Sequence, residues 1–298
     1  MPGRICILSI ILETRYQNFI TLAGSLNLSL NRDMAYQNKI VYILFFILTS
    51  AMAFCQNAMI IGHRGSSYSF PENTVEAAVR AWEEGADAVE IDVYPTADGR
   101  IVLLHDKSTL RTTGVDYPVV NTNSDVLTKL DAGKWKDPRF EGIRIPLLEE
   151  VLDVIPKYKK LVIEVKSGPE IIPMLKNILQ EHPHRSQIIF ICFGWEVIIK
   201  LHEAFPDLPC FWLSSRKNDV MNRWEDVIKA GLDGINLHYS IIDQNMVEQA
   251  HKDGLGILAW TVNDMEEVDR LIGIGIDGIT TDRPGFIRSQ WLQNMKFD

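Results

Sequence analysis

From residue 58 onward the chain alternates between two hydrophobic rhythms. Short apolar runs at 58–62, 87–93, 101–105, 161–165, 188–193, 209–213, 235–239, 257–262 and 277–281 have the length and turn-rich borders of strands. Between them, apolar residues recur at helical spacing over 74–84, 146–155, 170–181, 195–204, 219–230, 243–253 and 264–272. This alternation predicts a parallel sheet covered by helices, and the strand count favours a closed TIM (β/α)8 barrel over an open doubly wound sheet. Neither a Gly-rich dinucleotide fingerprint nor a P-loop is present, which weakens the open-sheet reading further.

Nine strand candidates are one more than eight staves require. Runs 87–93 and 101–105 lie too close for a helical crossover, and Asp98-Gly99 between them is a two-residue hairpin signal. A turn centred there opposes Ala97 to Arg100 and, counting outward, Asp92 to His105, so these two side chains should be neighbours. Pro95 is placed to insert a bulge and shift that register. The segment from His105 to Ile145 lacks barrel periodicity and reads as an irregular excursion or a functional cover. The expected fold is therefore an α/β, distorted TIM barrel with a β-hairpin irregularity and an inserted segment after the His105 strand.

The first 57 residues follow another plan. The run at 40–48 is too short to span a bilayer, Lys39 precedes it, and Ala51-Met52-Ala53 follows it. That layout is a secretory signal peptide, with Met34 an internal start point. The domain reading is thus an N-terminal extension and signal peptide over 1–57 and the barrel over 58–298. The mature chain is expected to be exported, periplasmic or extracellular, with no stable membrane span. Phe54 is too bulky for the usual lipid-attachment motif at Cys55; a membrane anchor is the alternative. With Cys6 and Cys55 set aside, Cys192 and Cys210 are the cysteines of the presumed mature domain, a disulfide or, on balance, two buried thiols.

A net charge of −9 argues against a nucleic-acid partner, but a metal ion with one Arg and one Lys can still make a local anion site. Candidate chemistry gathers at strand ends. Ile60-Ile61 run into Gly62-His63-Arg64-Gly65, and Pro71-Glu72-Asn73 lead to Thr74, a fitting N-cap for the next helix. Arg64 offers a planar fork of donors to a phosphate, and His63 can move a proton near neutral pH. Glu90 and Asp92 are two apart on one strand and share a face; Glu164 and Lys166 repeat that spacing on another. Three carboxylates from two strands suit Mg²⁺ or Ca²⁺, and no zinc-type spacing is present. His105 ends its strand as His63 ends the first, so the two could divide acid and base work on a phosphate ester. His238 fits packing better. Trp260, at a late strand end before Asp282, could line an alcohol moiety or belong to the core.

In order from Gly62 to Pro284 stand GHRG, PENT, VEIDV, HD with LRTTG, LDAGKW, IPLLEEVL, IEVK, WTVN and TDRP. This ordered set resembles the glycerophosphodiester phosphodiesterase family across nearly all of the presumed mature chain. The resemblance implies a distorted TIM barrel that hydrolyses small-molecule glycerophosphodiesters to glycerol 3-phosphate and an alcohol with a divalent metal. It matches Glu90, Asp92 and Glu164 to metal ligands, His63 and His105 to the acid/base pair, and Arg64 and Lys166 to phosphate contacts. Glu72 and Trp260 match positions lining the substrate site. Cys192 and Leu147 depart from the usual Ser and Thr, away from the chemistry. The competing readings are a phospholipase D-like lipid phosphodiesterase on a related barrel and a silent barrel used for binding.

Overall fold

The computed structural model describes residues 58–294, so the signal peptide expected within 1–57 lies outside the described residues. The strands are β1 (Met59–Gly62), β2 (Ala88–Pro95), β3 (Ile101–Leu103), β4 (Lys160–Val165), β5 (Ile188–Cys192), β6 (Cys210–Ser214), β7 (Gly234–His238), β8 (Gly256–Trp260) and β9 (Gly278–Thr281). All except β3 are parallel. They follow one another around a ring that closes where β9 pairs with β1 and β1 with β2. Eight staves and one extra strand are what the spacing of the apolar runs predicts.

The pleat explains the layering. On β4, Leu161, Ile163 and Val165 face the helices, whereas Val162 and Glu164 point into the barrel. Ile61, Ala88, Val162, Ile189, Ile191, Leu213 and Leu258 form the apolar barrel interior. Helices α1 (Val75–Glu83), α2 (Leu110–Thr113), α3 (Ser124–Leu127), α4 (Leu148–Leu152), α5 (Ile172–Leu179), α6 (Trp195–Ala204), α7 (Lys217–Lys229), α8 (Gln244–Lys252), α9 (Met265–Gly273) and α10 (Pro284–Asn294) complete the described chain. Helix α1 begins at the expected cap: Thr74 Oγ1 accepts from Ala77 N at 3.2 Å, and the helix buries Ala77, Ala78, Ala81 and Trp82. A cap of this kind contributes about 1 kcal/mol.

Two expectations are corrected. The β2–β3 register pairs Val93 with Leu103 and Pro95 with Ile101, one residue off the predicted pairing. The loop holds three residues, closed by Thr96 N donating to Arg100 O at 2.8 Å, with Gly99 in the left-handed region at φ 76°. Asp98 fixes this form by accepting from Thr96 Oγ1 (2.6 Å), Ser124 N (2.9 Å) and Ser124 Oγ (2.7 Å). Asp92 therefore opposes Leu104, whose N–H it binds at 3.1 Å, and His105 lies beyond the end of β3. Helix 146–155 shortens to Leu148–Leu152; its start is delayed because Pro146 O accepts from Leu103 N at 3.0 Å, tying the segment to β3.

The insertion has a core of its own, where Val119, Leu127, Ala132 and Ile145 pack on Tyr94, Val102 and Leu104. Helix α10, which the hydrophobic pattern did not reveal, opens with Pro284 and buries Ile287 and Trp291. Cys192 and Cys210 are free and buried, and burial pushes the Cys192 thiol up to about 12. Among the described residues no helix is long and apolar enough to cross a membrane.

Candidate active site

At the C-terminal ends of the strands the interior changes from apolar to charged. The inward positions Glu90 and Asp92 on β2 and Glu164 on β4 bring their carboxylate oxygens within 4.8 Å of one another, all three buried. Three such groups are costly without cations. Lys166 Nζ supplies one, 2.7 Å from Glu164 Oε1 and 3.4 Å from Asp92 Oδ1. Arg64 supplies another, its Nε 3.2 Å from Asp92 Oδ2. Two cations leave one carboxylate charge unmatched, and Glu90 Oε1 is buried with no hydrogen-bond partner. Burial first, then Asp92 and Glu164, hold the Glu90 carboxyl well above its ordinary range; burial and Asp92 raise Glu164 as well.

The β1 end is shaped to reach this cluster. Arg64 lies in the left-handed region at φ 53°, which turns its N–H onto Glu90 Oε2 at 2.9 Å. Gly65 follows at φ 86°, and a Cβ there would stand 2.4 Å from the backbone carbon of Ala77, so only glycine lets the turn lie against α1. Asn73, also left-handed at φ 56°, donates to Asp92 Oδ2 at 2.8 Å and accepts from Asp92 N at 3.0 Å. Glu72 beside it accepts from Arg64 Nη1 at 2.9 Å.

Each histidine is held through Nδ1 by an aspartate. His63 Nδ1 is 2.6 Å from Asp282 Oδ1. Asp282 also accepts from Ser67 Oγ (3.0 Å) and Asn263 Nδ2 (2.6 Å). Burial opposes its charge, but His63 and these hydrogen bonds prevail and lower Asp282 to about 2. His105 Nδ1 is 2.7 Å from Asp106 Oδ1, and Arg111 Nε donates to Asp106 Oδ2 at 2.6 Å. Partial burial, aided by Arg64 and Lys166, lowers the proton affinity of His105 against the opposing pull of Asp92 and Asp106. With carboxylates accepting from both Nδ1–H groups, Nε2 is the atom of each ring left for chemistry.

Trp260 ends β8 half-buried, donates from Nε1 to Asn236 O at 3.2 Å, and meets Phe193 and His238 edge-on at 5.5 and 5.3 Å. The three rings form an aromatic corner, with Phe193 45% exposed. His238 packs there, stacked on Tyr239 at 4.6 Å.

The structure thus brings Arg64, Glu72, Glu90, Asp92, Glu164 and Lys166 into one linked set of contacts, while His63, adjacent to Arg64 in the chain, is held separately by Asp282. His105 joins it through Asp106, Arg111 and Glu72. Sequence reasoning missed Asn73, Asp106, Arg111 and the part played by Asp282. Barrel closure carried the signal for the last: β9 pairs with β1, Gly62 opposite Thr281, which sets His63 beside Asp282.

Residues 63–286 match the model of the Glycerophosphoryl diester phosphodiesterase family. The chain is 34% identical over 231 residues to the glycerophosphodiester phosphodiesterase of Caldanaerobacter subterraneus subsp. tengcongensis, covering 76% of this chain and 94% of that protein. Among solved structures it is similar to an Oleispira antarctica phosphodiesterase in complex with the product sn-glycerol-3-phosphate. The TM-score is 0.73 at 31% identity, over 78% of this chain and 95% of that one. The glycerophosphodiester phosphodiesterase of Thermotoga maritima gives a TM-score of 0.67 at 27% identity, covering 78% and 98%. The chain belongs to the glycerophosphoryl diester phosphodiesterase family and is an enzyme of glycerophosphodiester hydrolysis.

Proposed function

We propose that Glu90, Asp92 and Glu164 hold one divalent cation, Mg²⁺ or Ca²⁺, and that His63 and His105 share the proton transfers of diester hydrolysis. The observation that carries this reading is the buried trio of carboxylates, one charge short of balance and with a Glu90 oxygen lacking any donor. An all-oxygen donor set suits a hard cation. When bound, the cation would offset negative charge on the phosphate oxygens as the transition state forms.

The remaining work falls to side chains. Arg64 and Lys166, already held beside the carboxylates, bind the anionic diester. His105, whose proton affinity burial lowers, takes the proton from the nucleophile, either water or the glycerol 2-hydroxyl; in the second case the alcohol leaves first and water then opens the cyclic phosphate. His63, its ring fixed by Asp282, delivers a proton to the departing alkoxide oxygen. Trp260 packs against the glycerol or alcohol moiety, while Glu72 lines the site and orients Arg64. The products are glycerol 3-phosphate and an alcohol, a reading supported by the product found in the Oleispira antarctica structure.

The test is hydrolysis of glycerophosphocholine with and without EDTA, followed by Mg²⁺ or Ca²⁺ replacement. Chelation should abolish turnover and either metal restore it. His63→Ala and His105→Ala should each lower kcat by about 10²–10⁴-fold with an unchanged thermal midpoint. The double variant should lose less than the product of the two. Near-normal turnover in folded His105→Ala would remove it from the mechanism. Preference for intact phospholipid would favour the phospholipase D-like reading, and no turnover at all a silent barrel.

A further inference from the structure

The insertion supplies a residue that the proposed chemistry leaves without a role. Arg111, in the short helix α2, donates from Nε to Asp106 Oδ2 at 2.6 Å. Its two terminal nitrogens bind Glu72 side by side, Nη1 to Oε2 at 2.8 Å and Nη2 to Oε1 at 2.7 Å. The far oxygen of Asp106 holds His105 Nδ1, and Glu72 Oε1 also holds Arg64 Nη1. One guanidinium therefore stands between the partner of a proposed proton-transfer group and the partner of a proposed phosphate-binding group. It bridges the β1–α1 loop, which carries Glu72, to the insertion, which carries Asp106; Lys136 Nζ, donating to Ser67 O at 2.7 Å, joins the same two segments away from these carboxylates.

The two loops have reason to need such a bridge. His105 lies past the end of β3, so the strand ladder does not fix its ring. Its aim depends on Asp106, a half-exposed carboxylate that would otherwise swing with solvent. Arg111 pins that carboxylate, and the face of Trp135, 5.9 Å from its guanidinium carbon, backs it. The mutual support is visible in the charges. The hydrogen bonds that Arg111 donates to Glu72 and Asp106 raise Arg111, and Arg111 helps to lower both carboxyls against the cost of burying them.

Resting on the proposed function, we infer that Arg111 is a positioning residue that sets His105 and Arg64 together, through Asp106 and Glu72. The fork is the point. A lysine ammonium keeps the charge but cannot bind one carboxylate edge-on with two nitrogens while a third nitrogen reaches another. A role in charge balance alone would survive Arg111→Lys; a role in geometry would not.

The experiment compares wild type, Arg111→Lys, Asp106→Asn and the double variant on glycerophosphocholine, reading kcat, KM and thermal midpoint. Arg111→Lys should remain folded and lose about 10–10²-fold in kcat, the scale of a misaimed reacting group, with KM changed far less. Asp106→Asn should lose a similar amount. The double variant should be no worse than about threefold below the poorer single, because both act through one linkage. The inference is overturned by Arg111→Lys turning over within about twofold of wild type, by singles whose losses multiply, or by a rise in KM alone, which would put Arg111 on the substrate. It is also overturned if activity falls only in step with the thermal midpoint, and Asp106→Asn supplies the same readout should Arg111→Lys not fold. A wild-type protein without glycerophosphodiester turnover would sink the functional reading instead, before any variant is compared.

Discussion

His105 and His63 reach the site by different routes, and that difference governs what could be read from residues alone. His63 stands at the end of a strand whose partner, β9, brings Asp282 alongside it, so its setting follows from barrel closure. His105 follows a strand that stops two residues earlier; its setting depends on Asp106 and on a side chain from the insertion. The two-residue spacings of Glu90 with Asp92 and of Glu164 with Lys166 were legible because a pleat sends alternate residues to one face. Asn73, Asp106 and Arg111 were not, because loop conformation rather than period places them. A prediction belongs at this scale. If His105 is the base, kcat/KM falls when it is protonated, and burial holds its proton affinity below the usual imidazole value. The acid limb should therefore lie below pH 6.5. Asp106→Asn removes an interaction that raises His105, so the limb should move lower still in that variant. A limb at or above the ordinary imidazole range, or one that moves upward in Asp106→Asn, would assign it to another group.

At the scale of elements, periodicity located each of the nine strands, and the errors cluster where backbone hydrogen bonds leave the regular ladders. The Asp98-Gly99 pair was rightly a turn, yet the loop took three residues because Asp98 anchors to Ser124, far along the chain. A one-residue shift followed, and with it the loss of the direct Asp92–His105 pairing. Helix 146–155 starts late for a similar reason: Pro146 serves β3. Two glycines let the local and tertiary causes be separated. Gly99 (φ 76°) has open space around a notional Cβ, whereas Gly65 (φ 86°) has the α1 backbone 2.4 Å away. Gly99→Ala should cost about 1 kcal/mol, the conformational part alone, and keep normal turnover. Gly65→Ala must also push α1 from the turn that aims Arg64 at Glu90. It should cost about 2 kcal/mol or more and lower kcat. Thermal unfolding and steady-state assays on both variants check this; equal losses would show that the close approach to α1 is unimportant.

For the whole molecule, the barrel was legible because eight parallel strands leave a strong alternation of strand and helix, while the insertion, with its small core, obeys no period. The barrel also concentrates an electrostatic cost, and this yields the last prediction. Folding raises the carboxyls of Glu90 and Glu164, opposite to the usual depressed carboxylate. The native state therefore binds protons more tightly than the unfolded chain. The contribution of these two carboxyls to metal-free stability is fullest below the ordinary glutamate value of 4.5 and declines as pH rises through the raised native values. Once these carboxyls are ionised, the metal-free barrel carries a repulsion that a bound cation would relieve. Saturation at about 100 times Kd should add about 2.7 kcal/mol, which for a domain of this size raises the thermal midpoint by about 5–10 °C. Glu90→Gln should behave in the reverse sense. A Gln carbonyl oxygen can still accept from Arg64 N, the charge conflict is gone, and the midpoint in EDTA should exceed that of wild type. Its response to Mg²⁺ and Ca²⁺ should shrink or vanish. Thermal melts of both proteins near neutral pH, in EDTA and across a metal titration, decide the matter. A wild type indifferent to either ion, or a Glu90→Gln protein less stable in EDTA yet still fully responsive, would break the link between the buried carboxylates and metal binding.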